Sequence, residues 1–486
     1  MISYWQSKSE IKERVYIPKY YDPQIQIELD KKSKTHTLVT IKDLILDDVL
    51  SVSTGDEIGK MAYGTGSIPF VRTSDISNWE IKSTPKQGVS SEIYSNYSAK
   101  QDVRVGDILL VRDGTYLIGS NCIVTELDEK ILYQSHILKF RILDQKLIDP
   151  HVFFLLLNSN LVQKQIRSMQ FTADTIDTIG NRFKDIVLPI PNKDLNVEVL
   201  EAKKALNERE IGKAFIKKAP ALIEEALNST DFSAIEQFIG SEVEDIKEDI
   251  VQETVTDELT EFSSYWIKDR NITNKTYIPK YYDPLIDIEL DRLSKENKIM
   301  TIGSLIDEKK IEIKTGDEIG KISYGTGAIP FIRTSDFSNW EIKHNPKQGI
   351  SEDIYQKYAS KQDMRVNDIL LVRDGTYLVG TSCIVTEEDQ KSLYCAGLIK
   401  LRCLDAEFID SFFLLGILNS HIVKKQLRSK QFTRDVIDTL GTRLTEIKIP
   451  IPLKNEIKQG ISRTVSSIVD SRIHCRRKLS SLSNNL

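Results

Sequence analysis

The strongest constraint on this chain is an internal repeat, because residues 16–191 recur at residues 277–452 with a constant offset of 261 and no gap. Roughly 100 of about 176 aligned positions are identical, and a period this long indicates duplicated domains, since solenoid repeats span about 20 to 50 residues. Each copy is followed by a segment with helical periodicity. The chain is therefore predicted to contain one unit twice, in the order domain, helix, connector, domain, helix.

Within one copy, short apolar runs alternate with turn residues before a longer apolar stretch begins. Strands are predicted at Ile108–Arg112, Tyr116–Ile118 and Cys122–Val124, with Asp113-Gly114-Thr115 as a hairpin turn. Helices are predicted at Val152–Leu157 and Asn160–Gln170, because the apolar residues there are too dense and too long for one strand. Each copy is therefore expected to have an α+β fold.

The segments that follow the two copies carry apolar stripes of helical period. The stripes consist of Leu195, Val199, Leu206, Phe215, Ile223 and Leu227 in the first segment and Ile457, Ile461, Val465, Ile468, Ile473, Leu479 and Leu482 in the second. Pro220 should kink or divide the first helix. Two arrangements stay open: each helix packs on its own domain, or the two long helices pair with each other and hold the domains apart.

The net charge of −5 conceals an uneven distribution. The segment from Ser229 to Phe262 contains eleven acidic residues and one lysine. The rest of the chain therefore has a mildly basic net charge, which is compatible with a polyanionic partner. Apolar residues in this connector favour an amphipathic helix, and they are Ile235, Phe238, Ile239, Val243, Ile246 and Ile250. Whether the connector is disordered, mimics DNA or pairs with a basic partner stays open.

Several classes of protein are excluded by what the chain lacks. The sequence has no apolar run long enough for a membrane span, and its odd number of five cysteines without a CxxC pair suits a reducing cytoplasm. No histidine of one copy aligns with a histidine of the other, which excludes histidine-dependent acid–base or metal chemistry shared by the two copies. Gly55–Lys60 has the wrong glycine spacing for a phosphate-binding loop. Methyltransferase signatures are also missing, so we expect a non-catalytic chain without a cofactor or metal of its own.

One enzymatic alternative remains at the sequence level. Glu80-Ile81-Lys82 recurs as Glu341-Ile342-Lys343, and with Asp56 or Asp75 upstream these residues have the composition of a magnesium-dependent nuclease site. The competing interpretation is a strand on which Trp79 and Ile81 point inward while Glu80 and Lys82 point outward. A third class is a non-catalytic scaffold whose duplicated domains bind proteins.

The two copies share polar and aromatic residues at predicted turns, of the types that read base edges or contact phosphates. In the first copy the candidate DNA-binding residues are Lys60, Tyr63, Arg72, Thr73, Ser74, Asp75, Lys86, Gln87, Arg112, Asp113, Gln134, His136, Gln170 and Arg182. In the second copy they are Lys321, Tyr324, Arg333, Thr334, Ser335, Asp336, Lys347, Gln348, Arg373, Asp374, Gln431 and Arg443. Each of these residues also has a structural interpretation as a turn or solvated-face residue.

A family resemblance is carried by motifs that occur in the same order in both copies. In the first copy they are Arg14–Pro23, Gly66–Ile76 with its Ile68-Pro69-Phe70, Val105–Gly114, and Leu188-Pro189-Ile190-Pro191 before a helix. This succession resembles the specificity subunit of type I restriction-modification systems over about four fifths of the chain. The family often has Glu-Gln shortly after Pro-x-Pro, where this chain has Asn192–Leu195 and Leu453–Glu456.

The resemblance implies two target recognition domains separated by two long helices that form an antiparallel coiled coil. The corresponding segments are 1–192 for target recognition domain 1, 193–228 for the central spacer helix, 229–263 for the acidic connector, 264–452 for target recognition domain 2 and 453–486 for the C-terminal spacer helix. It further implies that the chain binds double-stranded DNA and docks two adenine methyltransferase subunits, which carry S-adenosylmethionine. The resemblance is also compatible with a restriction and translocase subunit that uses ATP and Mg²⁺. It implies a cytoplasmic, nucleoid-associated location in a bacterium or archaeon.

Similar domains joined by antiparallel helices should read similar half-sites in inverted orientation, which predicts an interrupted near-palindrome as the target. The half-sites are expected to diverge where the copies diverge. Gln134-Ser135-His136 is replaced by Cys395-Ala396-Gly397, and glutamine can read adenine bidentately whereas cysteine cannot. Lys31–Ser53 and Arg292–Lys314 also differ, with drift in surface loops as the alternative there.

Overall fold

The structure is a computed structural model that describes residues 7, 11, 15–114, 116–173, 176–240, 264–272, 276–375, 377–434 and 437–486. Most of the acidic connector, 241–263, lies outside these ranges, together with its residues Val243, Ile246 and Ile250. The chain divides into two compact units. Unit 1 contains the described residues up to Glu210 together with Ile473–Leu486, and unit 2 contains the described residues from Ile211 to Arg472. Each unit therefore holds one copy of the repeat and a part of both long helices.

The helices of the described ranges include two long ones, α6 and α13, each of which follows a copy of the repeat. The helices are α1 (Pro23–Lys32), α2 (Ile41–Leu46), α3 (Ser91–Gln101), α4 (Pro150–Asn158), α5 (Asn160–Ser168), α6 (Asn196–Ser229), α7 (Ser233–Gly240), α8 (Pro284–Leu293), α9 (Ile302–Asp307), α10 (Glu352–Gln362), α11 (Ser411–Leu418), α12 (His421–Ser429) and α13 (Asn455–Asn485).

The strands are short in both copies. In the first copy they are β1 (His36–Thr40), β2 (Leu50–Thr54), β3 (Ile68–Val71), β4 (Ile76–Ser77), β5 (Glu80–Ile81), β6 (Gln87–Val89), β7 (Ile108–Val111), β8 (Asp113–Gly114), β9 (Asn121–Ile123), β10 (Leu132–Tyr133), β11 (Ile137–Ile142), β12 (Phe171–Ala173), β13 (Ile176–Thr178) and β14 (Val187–Pro191). In the second copy they are β15 (Asn297–Thr301), β16 (Ile311–Thr315), β17 (Ile329–Ile332), β18 (Phe337–Ser338), β19 (Glu341–Ile342), β20 (Gln348–Ile350), β21 (Ile369–Val372), β22 (Asp374–Gly375), β23 (Ser382–Ile384), β24 (Leu393–Tyr394), β25 (Leu398–Cys403), β26 (Phe432–Arg434), β27 (Ile437–Thr439) and β28 (Lys448–Pro452).

The strands of each copy form the same set of small sheets. The first copy has a four-stranded antiparallel sheet in the order β2-β11-β7-β9, three-stranded sheets β10-β3-β6 and β12-β13-β8, and the pairs β1-β14 and β4-β5. The second copy repeats every one of these sheets in the same order, from β16-β25-β21-β23 to β18-β19. This mixture of helices and sheets confirms the predicted α+β fold.

The core of the first copy lies between the four-stranded sheet and the helices α4 and α5. Asp149 accepts a hydrogen bond from the backbone N–H of His151 and stands before Pro150, a favourable start for α4. Ser159 ends α4 and caps α5. On the buried side of α4, the ring of Phe153 lies 5.5 Å from the ring of Phe140 in β11. The predicted helical character of this stretch is therefore confirmed, with a boundary at Ser159.

Within each unit the two long helices run antiparallel. In unit 1 the Nζ of Lys478 lies 2.9 Å from the Oε1 of Glu201, and Cys475 Sγ lies 3.2 Å from Glu208 Oε2. In unit 2 a Cβ atom added to Gly212 would lie 3.1 Å from the Cγ of Arg472. Also in unit 2, the Nζ of Lys454, directly before α13, donates to Thr230, directly after α6. Positions rise along α6 as they fall along α13, so the helices pair as predicted.

Three local predictions are wrong. Tyr116–Ile118 forms a turn, because Asp113-Gly114 is itself the strand β8 and pairs with β13. Pro220 does not divide the first long helix, which continues from Asn196 to Ser229. Glu80 does not point outward, since it is buried in β5. Of the connector, Ser233–Gly240 is helical and buries Ile235 and Phe238, as an amphipathic helix would.

Candidate nucleic-acid interface

Strand pairing collects several of the predicted side chains at one edge of each copy. The strands β3 and β10 are parallel with Val71 opposite Tyr133, so Arg72 and Gln134 leave them side by side. The strands β7 and β11 are antiparallel, and the backbone N–H of Arg112 donates to the carbonyl of His136 over 2.9 Å. We call this the recognition edge, defined as Glu57, Arg72, Arg112, Asp113 and residues 134–136, with the equivalent positions 261 residues later in the second copy.

Asp113 is the buried anchor of the recognition edge in the first copy. The guanidinium of Arg112 donates to both carboxylate oxygens of Asp113, over 3.1 Å from Nε to Oδ1 and 2.6 Å from the terminal nitrogen to Oδ2. Thr178 donates to the same carboxylate, and His136 Nδ1 lies 3.0 Å from it. Burial acts to raise the pKa of Asp113, but the hydrogen bonds from Arg112, Thr178 and His136 outweigh it and lower the pKa. Asp113 therefore stays ionised and fixes the orientation of Arg112, which is the more exposed of the two.

The second copy keeps this anchor but loses the histidine. Arg373 donates to both carboxylate oxygens of Asp374, and Thr439 donates to Asp374 as well. Gly397 stands where His136 does, and a Cβ atom added to it would lie 2.9 Å from the Cγ2 of Thr334. The two recognition edges therefore share an arginine–aspartate pair and differ in the side chains beside it.

Asp75 is buried in the first copy. It is 3% exposed and accepts hydrogen bonds from the backbone N–H groups of Arg72, over 3.0 Å, and Lys86, over 3.5 Å. Burial raises its pKa, against the effect of these hydrogen bonds. The equivalent Asp336 is 0% exposed. Both aspartates accept hydrogen bonds from backbone N–H groups of their own copy, and their burial does not favour a direct contact with bases.

The loop 59–66 brings a second group of predicted residues together. Gly64 N–H donates to Gly88 O over 2.8 Å, which places the loop beside β6 and its neighbours Lys86 and Gln87. The ring of Tyr63 packs on Phe70 with 5.6 Å between centroids, and the guanidinium carbon of Arg72 lies 6.0 Å from the Tyr63 ring. Lys60 and Lys86 are exposed, while Tyr63, Arg72 and Gln87 are half-buried. The residues Thr73 and Ser74 form a half-buried 3-10 turn directly after Arg72.

Arg182 and Gln170 are engaged in contacts within the first copy. The guanidinium of Arg182 donates to the carbonyls of Met169, over 3.1 Å, and Thr178, over 2.8 Å, and stacks 4.0 Å from the ring of Phe171. Gln170 Nε2 donates to Asp177 over 2.8 Å. Arg443 and Gln431 make the equivalent contacts in the second copy. These side chains fasten the β12–β13 hairpin, or its counterpart, to the end of a helix, so a direct role in base reading is not what their geometry favours.

Gln134 was predicted to read adenine, but it is only 8% exposed. It lies between Asp56, with which it forms a parallel bridge, and the carbonyl of Val71, to which its N–H donates. The more accessible side chains at this position are Ser135, which donates to Glu57, and His136, whose side chain is 36% exposed. Glu57 is a member of the edge that the sequence prediction missed, although its identity with Glu318 in an otherwise shared motif could have indicated it.

The residues proposed for a nuclease are engaged in separate structural contacts. Asp56 accepts hydrogen bonds from Lys100 and from Gln101 Nε2, and Gln101 also bridges to the backbone of Tyr133. Glu80 is buried against Arg209 of α6, and Lys82 is held beside Asp75. Among the residues that the structure describes, no group of three or more His, Cys, Asp or Glu side chains could hold a metal ion. The carboxylates therefore have structural roles, and the nuclease alternative receives no support from the geometry.

A comparison with protein families matches most of the second copy and much of the helix that follows it. Residues 295–481 match the family model described as type I restriction modification DNA specificity domain. No curated protein matches the chain. Within the described ranges, no helix is both long enough and apolar enough to cross a membrane.

Three solved structures with which the chain aligns come from type I restriction-modification systems. They are the S subunit from M. genitalium (14% identity, 92% of both chains, TM-score 0.33), a chain from a study of complex assembly and conformational transition of the type I R-M system (14%, 92% of this chain and 96% of that one, 0.26), and the HsdS subunit from Thermoanaerobacter tengcongensis (14%, 92% and 95%, 0.26). Because these TM-scores are low, the finding that bears on the family is the match of residues 295–481.

Proposed function

We propose that this chain is a non-catalytic, DNA-recognising specificity subunit of the type I restriction-modification family and that each copy reads one half of a bipartite DNA site. The support is that residues 295–481 match the type I specificity domain and that the first copy repeats most of this segment. Adenine-N6 methyltransferase subunits are the proposed partners, and they would supply S-adenosylmethionine. If a restriction and translocase subunit joins the complex, that subunit would use ATP and Mg²⁺.

The observation that carries this proposal is the equivalent seating of each copy on the long helix that follows it. In unit 1 Glu80 forms a buried ion pair with Arg209 of α6, and in unit 2 Glu341 forms one with Arg472 of α13. Each copy therefore contacts the helix that follows it through the same glutamate position, and we propose that the two similar copies read similar half-sites in inverted orientation. The target is therefore proposed to be a near-palindrome interrupted by an unread spacer.

The proposed contacts within each half-site are made by the exposed and half-buried members of the predicted set. Arg112 and Arg373 are proposed to contact base edges through the terminal guanidinium nitrogen that does not contact the aspartate. Other side chains are proposed to position phosphates or bases, and they are Lys60, Tyr63, Arg72, Thr73, Ser74, Lys86 and Gln87 with Lys321, Tyr324, Arg333, Thr334, Ser335, Lys347 and Gln348. Ser135 and His136 against Ala396 and Gly397 are proposed to make the two half-sites differ.

The experiment that tests this function is long-read mapping of N6-methyladenine in the native genome, with and without the gene for this chain. We expect loss of methylation at one interrupted, near-palindromic motif. Methylation that is unchanged by the deletion, together with no binding of duplex DNA by the purified complex with its methyltransferase, would refute the proposal and favour a protein-binding scaffold.

The proposed source of half-site divergence has its own test. The triple variant Gln134→Cys, Ser135→Ala and His136→Gly gives the first recognition edge the side chains of the second. We expect one half of the methylated motif to change toward the sequence of the other half. The matched control is Asp47→Glu with Asp48→Lys, which introduces the residues of the second copy at the end of α2 and should leave the motif unchanged.

A further inference from the structure

Each copy exposes one large apolar side chain at the tip of the loop beside the predicted DNA-contacting residues. Met61 and Ile322 occupy equivalent positions, and each is 93% exposed. An isolated apolar residue on a surface is ordinary. Two such residues at equivalent positions of a duplicated domain, directly after the equivalent lysines Lys60 and Lys321, call for a common explanation.

The loop around Met61 is fixed, so the side chain is held outward by the fold. Lys60–Ala62 is a single 3-10 turn after Gly59, whose φ of 77° suits glycine. Ala62 is buried, and Thr65 Oγ1 donates to its carbonyl over 2.8 Å. In the second copy Ser323 is buried, and Thr326 donates to its carbonyl over the same distance. The hydrogen bonds to the carbonyls of Ala62 and Ser323 fix the backbone directly after Met61 and Ile322. These two side chains therefore have little freedom to fold back onto the domain.

The surroundings of the tip favour a nucleic acid as the partner. Lys60 precedes Met61, and the Tyr63 ring that follows it packs between Phe70 and the Arg72 guanidinium. A protein partner would call for a contiguous apolar patch of several hundred Å². A single exposed apolar side chain directly after a lysine instead fits proteins that insert an apolar wedge between base pairs.

We infer that Met61 and Ile322 are wedges that insert between stacked base pairs, one in each half of the DNA site, while the lysines before them contact the adjacent phosphates. This inference deepens the proposed DNA-binding function and rests on it. The substitution of methionine by isoleucine between the copies fits a wedge, because a base step requires apolar volume and not a particular shape. Flexible pyrimidine–purine steps would be favoured at these positions, which adds selectivity without a base contact.

The test uses the full chain in complex with its methyltransferase and duplexes that carry the methylated motif. A 2-aminopurine base at successive positions of one half-site reports unstacking by an increase in fluorescence. With the wild type we expect a fluorescence increase at one base step in each half-site. Met61→Ala should abolish the increase in one half-site only, and Ile322→Ala should abolish it in the other half-site only. Each variant should bind the duplex about tenfold more weakly, as expected for the loss of one buried apolar side chain.

Two further variants separate a wedge from a charged or structural contact. Met61→Ile should retain the fluorescence increase, because it restores the side chain of the second copy. Met61→Lys should lose the increase even though it adds a positive charge. The control Leu147→Ala removes an exposed apolar side chain outside the loop and should bind like the wild type.

Fluorescence and affinity that are the same in Met61→Ala, Ile322→Ala and the wild type would overturn the wedge while leaving sequence-specific binding intact. A wild-type complex that does not bind the duplex would overturn the proposed function together with the wedge. Circular dichroism of each variant shows whether it is folded, and a folded Met61→Ala variant that still unstacks the base step would be sufficient to reject the inference.

Discussion

Removal of the Arg472 charge should destabilise unit 2 strongly, because Arg472 forms a buried ion pair with the carboxylate of Glu341. A terminal guanidinium nitrogen of Arg472 lies 2.6 Å from Glu341 Oε2, and the two side chains are only 1% and 4% exposed. Breaking a buried ion pair by removal of one partner costs about 3–5 kcal/mol. The perturbation we choose is Arg472→Met, which retains much of the apolar stem and removes the charge.

The expected size of the effect follows from the size of the unit. For domains of this length about 1 kcal/mol shifts the melting temperature by about 2–4 °C, so Arg472→Met should lower the melting temperature of unit 2 by about 6–20 °C. Differential scanning calorimetry measures this change. Since the chain has two units, the transition of unit 2 is assigned by comparison with Arg209→Met, which removes the equivalent ion pair in unit 1.

Two controls test the electrostatic reasoning. The double variant Arg472→Met with Glu341→Leu removes both charges and should recover most of the lost stability, because apolar residues can replace a buried pair at little cost. Lys391→Met breaks an ion pair with Glu352 that is exposed in the same unit, and it should melt like the wild type. Equal melting temperatures for Arg472→Met and Lys391→Met, or a double variant no more stable than the single one, would refute the argument.

Two pH effects are also expected. Hydrogen bonds from Arg141 first, and then from Arg104, lower the pKa of Asp102 to about 2. The Asp102 carboxylate therefore stabilises the fold above the ordinary pKa of aspartate, and this stabilisation is lost as the pH falls toward about 2. In urea unfolding, Asp102→Asn should lose less stability than the wild type between about pH 5 and about pH 3. Burial first, and then a hydrogen bond with Glu289, raise the pKa of Glu224. The contribution of Glu224 to the free energy of unfolding is therefore present below the ordinary pKa of glutamate and is lost as the pH rises above it. Glu224→Gln should make the melting temperature of unit 2 less sensitive to pH between about 4.5 and 8, and an unchanged slope would contradict this prediction.

The sequence was informative where the signal was local or repeated. The dense apolar run Val152–Leu157 predicted α4, and the stripes ending at Leu227 and Leu482 predicted the two long helices, because helical periodicity is visible within a few turns. The repeat selected Arg72 and Lys86, and strand pairing places both near the loop with Tyr63.

The sequence was misleading where a contact joins distant parts of the chain. Glu80 looked like an exposed strand residue or a metal ligand, yet its partner Arg209 lies in a helix that follows the whole first copy. Asp113-Gly114 looked like a hairpin turn, yet it pairs with β13 far along the chain. A spacing rule cannot detect such pairs. The repeat gives no signal for the arginines either, because Arg209 aligns with Asp470 and Arg472 aligns with Ile211 at the constant offset.

The two copies differ in a way that makes an exchange between their recognition edges asymmetric. Contacts that fix the backbone are retained, since Gln101 and Gln362 each bridge an aspartate and the backbone of a buried tyrosine. Replacement of His136 by glycine would remove a half-exposed side chain and leave the Asp113 anchor with Arg112 in place. Replacement of Gly397 by histidine would place a Cβ atom 2.9 Å from Thr334 Cγ2, so that residue must move first. Loss of the histidine is therefore compatible with the shared scaffold as it stands, whereas its gain in the second copy requires a compensating change at Thr334.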